Sequence, residues 1–153
     1  MKNLLLILLL SITLLTAEEL ESILDSISQH AIRIGDGRVS REYVFIDPMC
    51  KHSKKYIKVI MEDESLQKEN SYYIFLYRLE KFDSDELIQY MYQSENKKLA
   101  LKEVMVAEKE VDLFDLEPSE NTLKIIDEIA VVGKTLKVDH RPQMFTFYNL
   151  EDP

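Results

Sequence analysis

The cysteine at position 50 is the only cysteine among the 153 residues of the chain. It follows an apolar run at residues 43–46 and an Asp47-Pro48 turn, and a lysine-rich segment comes directly after it. This order predicts a thiol at the N-terminus of a helix, where the helix dipole and the free backbone N–H groups favour the reactive thiolate form. Any chemistry here is therefore that of a single thiol.

Positive charge is concentrated just after this cysteine, although the chain carries a formal net charge of −9. The basic residues are Lys51, His52, Lys54, Lys55 and Lys58. One interpretation is a surface that attracts anionic partners. The other is the solvated face of an ordinary helix, and the lysines taken by themselves favour it.

The segment 43–53 resembles the active-site region of thioredoxin-fold proteins, most closely the C-terminal domain of periplasmic DsbC/DsbG-type thiol:disulfide interchange proteins. Their pattern is a hydrophobic strand, a turn and then Cys-x-x-Cys, whereas Ser53 here gives a Cys-x-x-Ser motif. Pro142, which precedes the apolar residues 144–148, is similar to the cis-proline that packs against the active-site cysteine in these proteins. The resemblance implies an α/β, thioredoxin-like fold with a helical insertion and a shortened C-terminus.

The same resemblance implies a set of site residues. Cys50, His52 and Ser53 are the expected catalytic residues, and Arg141 and Pro142 are the expected substrate-binding residues. His140 and Arg141 stand where DsbC-type proteins usually have Gly-Thr, which predicts a changed partner groove with added positive charge beside the thiol.

The chain also departs from this family at both ends. One helix takes the place of the N-terminal dimerisation domain. The sequence stops at Pro153, five residues after the last predicted strand, whereas a thioredoxin fold would add another strand and a closing helix. We expect an exposed sheet edge and an apolar face there, covered by the N-terminal helix, by a partner or by self-association.

Two functions from different classes fit these features. In the first, Cys50 forms mixed disulfides, isomerises disulfides or reduces oxidised thiols of exported proteins, as a monothiol disulfide isomerase or reductase. A small thiol or a redox partner would then release it, because Ser53 cannot resolve a mixed disulfide. In the second, the domain is a catalytically inactive scaffold that binds a periplasmic partner protein, and Cys50 is a buried relic. Whether an alkylating reagent reaches Cys50 in the folded protein distinguishes the two.

The N-terminal residues predict export. Lys2 precedes an apolar run at residues 4–15 and then Thr16-Ala17, in the order of a secretory signal peptide over residues 1–17. A periplasmic location follows, with membrane attachment only if this segment stays uncleaved. The acidic balance argues against nucleic-acid binding, and a single cysteine forms no disulfide within its own chain.

The elements that would position Cys50 follow from the apolar patterns. Residues 18–34 predict an amphipathic helix, and residues 35–153 predict the thioredoxin-like domain. Within it we expect a strand at 43–46, a helix from Cys50, a parallel strand at 72–77, a two-part helical insertion at 84–107, a helix capped by Ser119 and closed by Gly133, and a strand at 144–148.

No cofactor and no metal is expected. His30, His52 and His140 lack the spacing of a metal site with cysteine or carboxylates, although the fold could bring His52, His140 and Cys50 together. Gly-rich phosphate loops and Gly-x-Ser-x-Gly elbows are absent from the sequence.

Overall fold

A mixed four-stranded sheet with strand order β1-β3-β2-β4 organises the computed structural model, which describes residues 15–149. The strands are β1 (Ile32–Ile34), β2 (Ser40–Ile46), β3 (Asn70–Leu76) and β4 (Gln143–Tyr148). The helices are α1 (Ala17–Asp25), α2 (Lys51–Glu62), α3 (Glu64–Glu69), α4 (Asp85–Gln93), α5 (Lys97–Met105) and α6 (Glu120–Thr135). One 3₁₀ turn, Ser28–His30, lies between α1 and β1.

Strand β2 is the centre of the sheet, as its apolar sequence predicts. Its last four residues, Tyr43, Val44, Phe45 and Ile46, are fully buried. It pairs in parallel with β3 and antiparallel with β4. Aromatic rings join the strands, with centroids 4.8 Å apart for Tyr43 and Tyr73 and 5.2 Å apart for Phe45 and Phe75. The predicted βαβ unit is therefore confirmed, and its second strand leads into the helical insertion.

The helical insertion forms the two predicted pieces, α4 and α5, separated by Ser94–Asn96, with the Asn96 side chain capping the second. Ser119 caps α6 by accepting a hydrogen bond from the Thr122 backbone N–H, as predicted.

Gly133 does not close α6, which runs on to Thr135. Instead the glycine packs against the ring of Tyr77, where a Cβ atom would come within 2.5 Å. The glycine therefore serves helix–sheet contact rather than helix termination.

The predicted helix over residues 18–34 is wrong in its second half. Helix α1 ends at Asp25, and residues 32–34 form β1, which pairs antiparallel with β3. Ile32 and Ile34 are buried while Arg33 between them is exposed, which is the period-2 pattern of a strand. The sheet thus begins before residue 35, so the domain boundary predicted there is too late.

The predicted signal peptide lies mostly outside the described residues, and so do residues 150–153. Across residues 15–149, none of the helices combines the length and the apolar character that crossing a bilayer requires. In this part of the chain β4 lies at the edge of the sheet, with Met144 and Tyr148 exposed.

Candidate functional site

Cys50 is the N-cap residue of α2, as the sequence predicts. The turn after β2 holds it there, because its backbone N–H donates to the Asp47 carbonyl at 3.0 Å and its carbonyl accepts from the Lys54 N–H at 2.9 Å. The residue is only 5% exposed. Its thiol lies within 3.5 Å of the Arg141 carbonyl oxygen and donates to it. Ninety-one positions of sequence separate these two groups, and the fold brings them into contact.

The Arg141–Pro142 peptide bond is cis. Because the Arg141 carbonyl accepts from the Cys50 thiol, the backbone that leads into β4 forms one wall of the site. The structure thus brings together two of the predicted site segments, the start of α2 and the loop before β4.

The sequence predicts the Arg141 side chain in the partner groove beside the thiol, but the structure directs it toward the segment after β3. Its guanidinium donates to the carbonyls of Tyr77 at 2.7 Å and Arg78 at 3.0 Å, and it lies 4.2 Å from the centre of the Tyr77 ring. It also donates to the His140 carbonyl at 2.7 Å. Burial lowers the pKa of Arg141, and the charge of nearby Asp47 acts in the opposite direction. The residue is 6% exposed, and the atom of Arg141 that accepts from the thiol is its backbone carbonyl oxygen.

Asp47 is a residue of the site that the sequence interpretation missed. Its side chain is fully buried and accepts from the Met49 N–H at 2.8 Å, the Leu79 N–H at 2.6 Å and the Ser84 hydroxyl at 2.9 Å. One carboxylate thereby joins the cysteine turn, the segment after β3 and the start of α4. The sequence does carry a signal, because an aspartate often bonds the backbone two residues on in a turn.

Ser53 and His52 occupy different environments on α2. Ser53 is fully buried, and its hydroxyl accepts from the Asp47 backbone N–H at 3.3 Å. His52 is exposed and takes no part in the hydrogen bonds around the thiol. His140 is also exposed and contacts Asp139 instead, at 2.8 Å. Among residues 15–149, no group of three or more histidine, cysteine or carboxylate side chains could hold a metal ion.

Comparison with solved structures identifies the architecture. Proteus mirabilis ScsC in a transitional conformation superposes with a TM-score of 0.65 at 14% identity, over 85% of this chain and 68% of that one. Helicobacter pylori DsbG gives 0.65 at 16% identity, over 85% and 61%. The fold is thioredoxin-like.

A disulfide interchange protein from Neisseria gonorrhoeae shows the same likeness, with a TM-score of 0.57 at 17% identity over 79% of this chain and 86% of that one. At these identities the likeness is one of fold, and this chain spans only 61% of the length of the DsbG chain. No protein-family model matches the sequence, and no curated protein matches it either.

Proposed function

We propose that this thioredoxin-like chain is an exported, single-cysteine protein that acts in thiol–disulfide chemistry through Cys50. The observation that carries the proposal is the contact between the Cys50 thiol, at the start of α2, and the carbonyl that precedes cis-Pro142. A helix N-terminus stabilises a thiolate, and the adjoining backbone offers a surface on which a substrate chain can lie. The structural likeness to disulfide interchange proteins supports the same chemistry.

The proposed step is attack of the Cys50 thiolate on one sulfur of a substrate disulfide. The new bond joins Cys50 to that sulfur, while the other sulfur leaves as a thiolate and takes up a proton from water. With a sulfenic acid as substrate, the same bond forms and water is released. Ser53 cannot resolve the mixed disulfide, so release requires the substrate's own second thiol or a small external thiol. Isomerisation and reduction therefore fit better than net oxidation of dithiols.

Each predicted site residue has a part in this proposal. The backbone at Arg141 and Pro142 receives the substrate chain beside the thiol. His52 is exposed two residues after Cys50 in the chain, so an incoming protein could contact it. Ser53 maintains the turn geometry through its hydrogen bond with the Asp47 N–H. The predicted signal peptide would deliver the protein to the periplasm, where exported proteins carry disulfides.

One observation favours the second function, a catalytically inactive scaffold that binds a periplasmic partner protein. Cys50 is 5% exposed, and a thiol so enclosed reacts slowly unless the loop before β4 moves. Under this alternative the former substrate groove binds a protein without exchange of sulfur.

The rate at which Cys50 reacts with a small neutral disulfide, 2,2′-dithiodipyridine, separates the two functions. Because Cys50 is the only cysteine, all released thiopyridone reports on it, and the denatured chain at the same pH supplies the reference rate. The proposal expects the folded protein to react faster than the denatured chain. A folded protein that reacts more slowly would favour the scaffold. Cys50→Ser is the blank for both states.

A further inference from the structure

The start of α2 carries four lysines on one side of the helix, at relative positions i, i+3, i+4 and i+7. This lysine row consists of Lys51, Lys54, Lys55 and Lys58. Lys54 is half-buried and the others are exposed. The row has no carboxylate neighbour within the first two turns of α2, in a protein whose net charge is −9.

Helix stability does not account for the lysine row. The dipole of a helix favours acidic side chains in the first turn and disfavours cations there. Helices α1, α3, α4 and α6 have acidic residues in the first turn, whereas α2 begins with Lys51 and has none there. Helix α5, which begins with Lys97 and Lys98, is the other exception. The charge at the start of α2 is therefore kept at a small cost in stability.

A cleft of about 440 Å³ runs between the lysine row and the C-terminal end of α5. Met49, Met105 and Val106 supply its apolar lining, and the four lysines line it together with one acid, Glu108. Glu108 lies 3.3 Å from Lys54 and its side chain is 69% exposed, so this pair is weak. Within residues 15–149, Lys51, Lys55 and Lys58 have no ion-pair partner. The cleft thus combines an apolar lining with unneutralised positive charge.

The cleft lies beside the Cys50 turn, because Met49 and Lys51, the two neighbours of Cys50 in the chain, both line it. We propose that it holds an acidic segment of the partner protein whose sulfur meets Cys50. The inference rests on the proposed function and names its substrate class: protein thiols or disulfides with carboxylates and an apolar side chain close to the cysteine. The positive cleft would speed encounter with such a partner and discriminate against basic ones.

Three synthetic peptides test the inference. Each carries one cysteine as a mixed disulfide with 2-thiopyridine and one leucine, and the residues around the cysteine are glutamates, glutamines or lysines. The release of thiopyridone gives the rate of attack by Cys50. We expect the glutamate peptide to react fastest and the lysine peptide slowest. The difference should shrink as the ionic strength rises to about 0.5 M, because salt screens exposed charges.

Charge reversal then tests whether the lysine row causes the difference between the peptides. Lys55→Glu/Lys58→Glu should slow the glutamate peptide on the order of tenfold at low salt, since the cleft loses its positive sign. The matched control is Lys97→Glu/Lys98→Glu, which gives the same net charge but changes α5 at a place that does not line the cleft. The control should retain the order of the three peptides. Urea unfolding of both variants verifies that each one folds.

Two results would overturn the inference, and they are distinguishable. Equal rates for the three peptides, or equal effects of the two double variants, would refute the preference for an acidic partner. The proposed thiol chemistry of Cys50 would be unaffected by either result. If neither the peptides nor 2,2′-dithiodipyridine reacted with the folded protein, the proposed function would fail and the inference would fall with it.

Discussion

Removal of the Asp47 carboxylate is the most direct test of how the site is built. In the structure it accepts three hydrogen bonds, from Met49, Leu79 and Ser84, at 2.8, 2.6 and 2.9 Å. Hydrogen bonds to a charged group contribute about 1.5–3 kcal/mol each. Asp47→Ala loses them and leaves three donors without partners, but it also removes the cost of burying the carboxylate, which is several kcal/mol. We expect the free energy of unfolding to fall by about 3 kcal/mol.

Urea unfolding monitored by circular dichroism measures this change. The chain used begins at Glu18, without the predicted signal peptide. Asp47→Asn should lose less than Asp47→Ala, because the amide retains one acceptor oxygen and its NH₂ meets one of the donors. The control is Asp83→Ala, an exposed aspartate next to Ser84, with an expected change within about 0.5 kcal/mol. A loss below about 1 kcal/mol for Asp47→Ala would refute the argument that this carboxylate holds the cysteine turn to α4.

Three further predictions concern single substitutions. Ser53→Cys should form a reducible disulfide with Cys50 on oxidation, seen as loss of titratable thiols. Burial raises the pKa of Tyr92. Above about pH 10 the unfolded chain therefore loses the hydroxyl proton of Tyr92, while the folded chain retains it. Because of this one group, the free energy of unfolding should fall by about 1.4 kcal/mol for each further pH unit. Tyr92→Phe should remove that part of the slope in urea unfolding between about pH 9.5 and 11. Gly133→Ala should destabilise the protein by about 1–3 kcal/mol, because its Cβ would meet the Tyr77 ring at 2.5 Å.

Each of these predictions has a contradicting result. Two free thiols after oxidation of Ser53→Cys would argue against the thioredoxin-like placement of residues 50–53. An unchanged pH slope in Tyr92→Phe would mean that this phenol is not buried as the structure has it. Alanine in a helix interior is favoured over glycine by about 1 kcal/mol, so a stabilised Gly133→Ala would mean that the ring of Tyr77 moves aside.

Most of the sheet and the start of α2 are predictable from local pattern. The run at residues 43–46 is apolar on both faces, and the second strand is rich in aromatic and branched residues, so both predict buried strands without knowledge of their partners. The first strand is different. Ile32–Ile34 has three residues and follows a helical apolar stripe, so only pairing with the edge of β3 makes it a strand.

Some features of the candidate site are likewise predictable from local pattern, and others are not. The sequence placed a thiol at a helix N-terminus and a proline before the last strand, because both depend on local turn and capping chemistry. The burial of Cys50 and the inward direction of the Arg141 guanidinium depend on neighbours more than 60 positions away in the chain. Local pattern carries no information about such contacts.

By itself, then, the sequence determined a single thiol, its place at the start of a helix, and an acidic chain with a basic segment beside that thiol. Only the tertiary structure decided that the thiol faces the Arg141 carbonyl, that Asp47 joins three segments beneath it, and that the basic segment borders a cleft. The physical reason is that charge, residue type and helix position are properties of short segments. Burial and hydrogen-bond partners depend instead on how distant segments pack together.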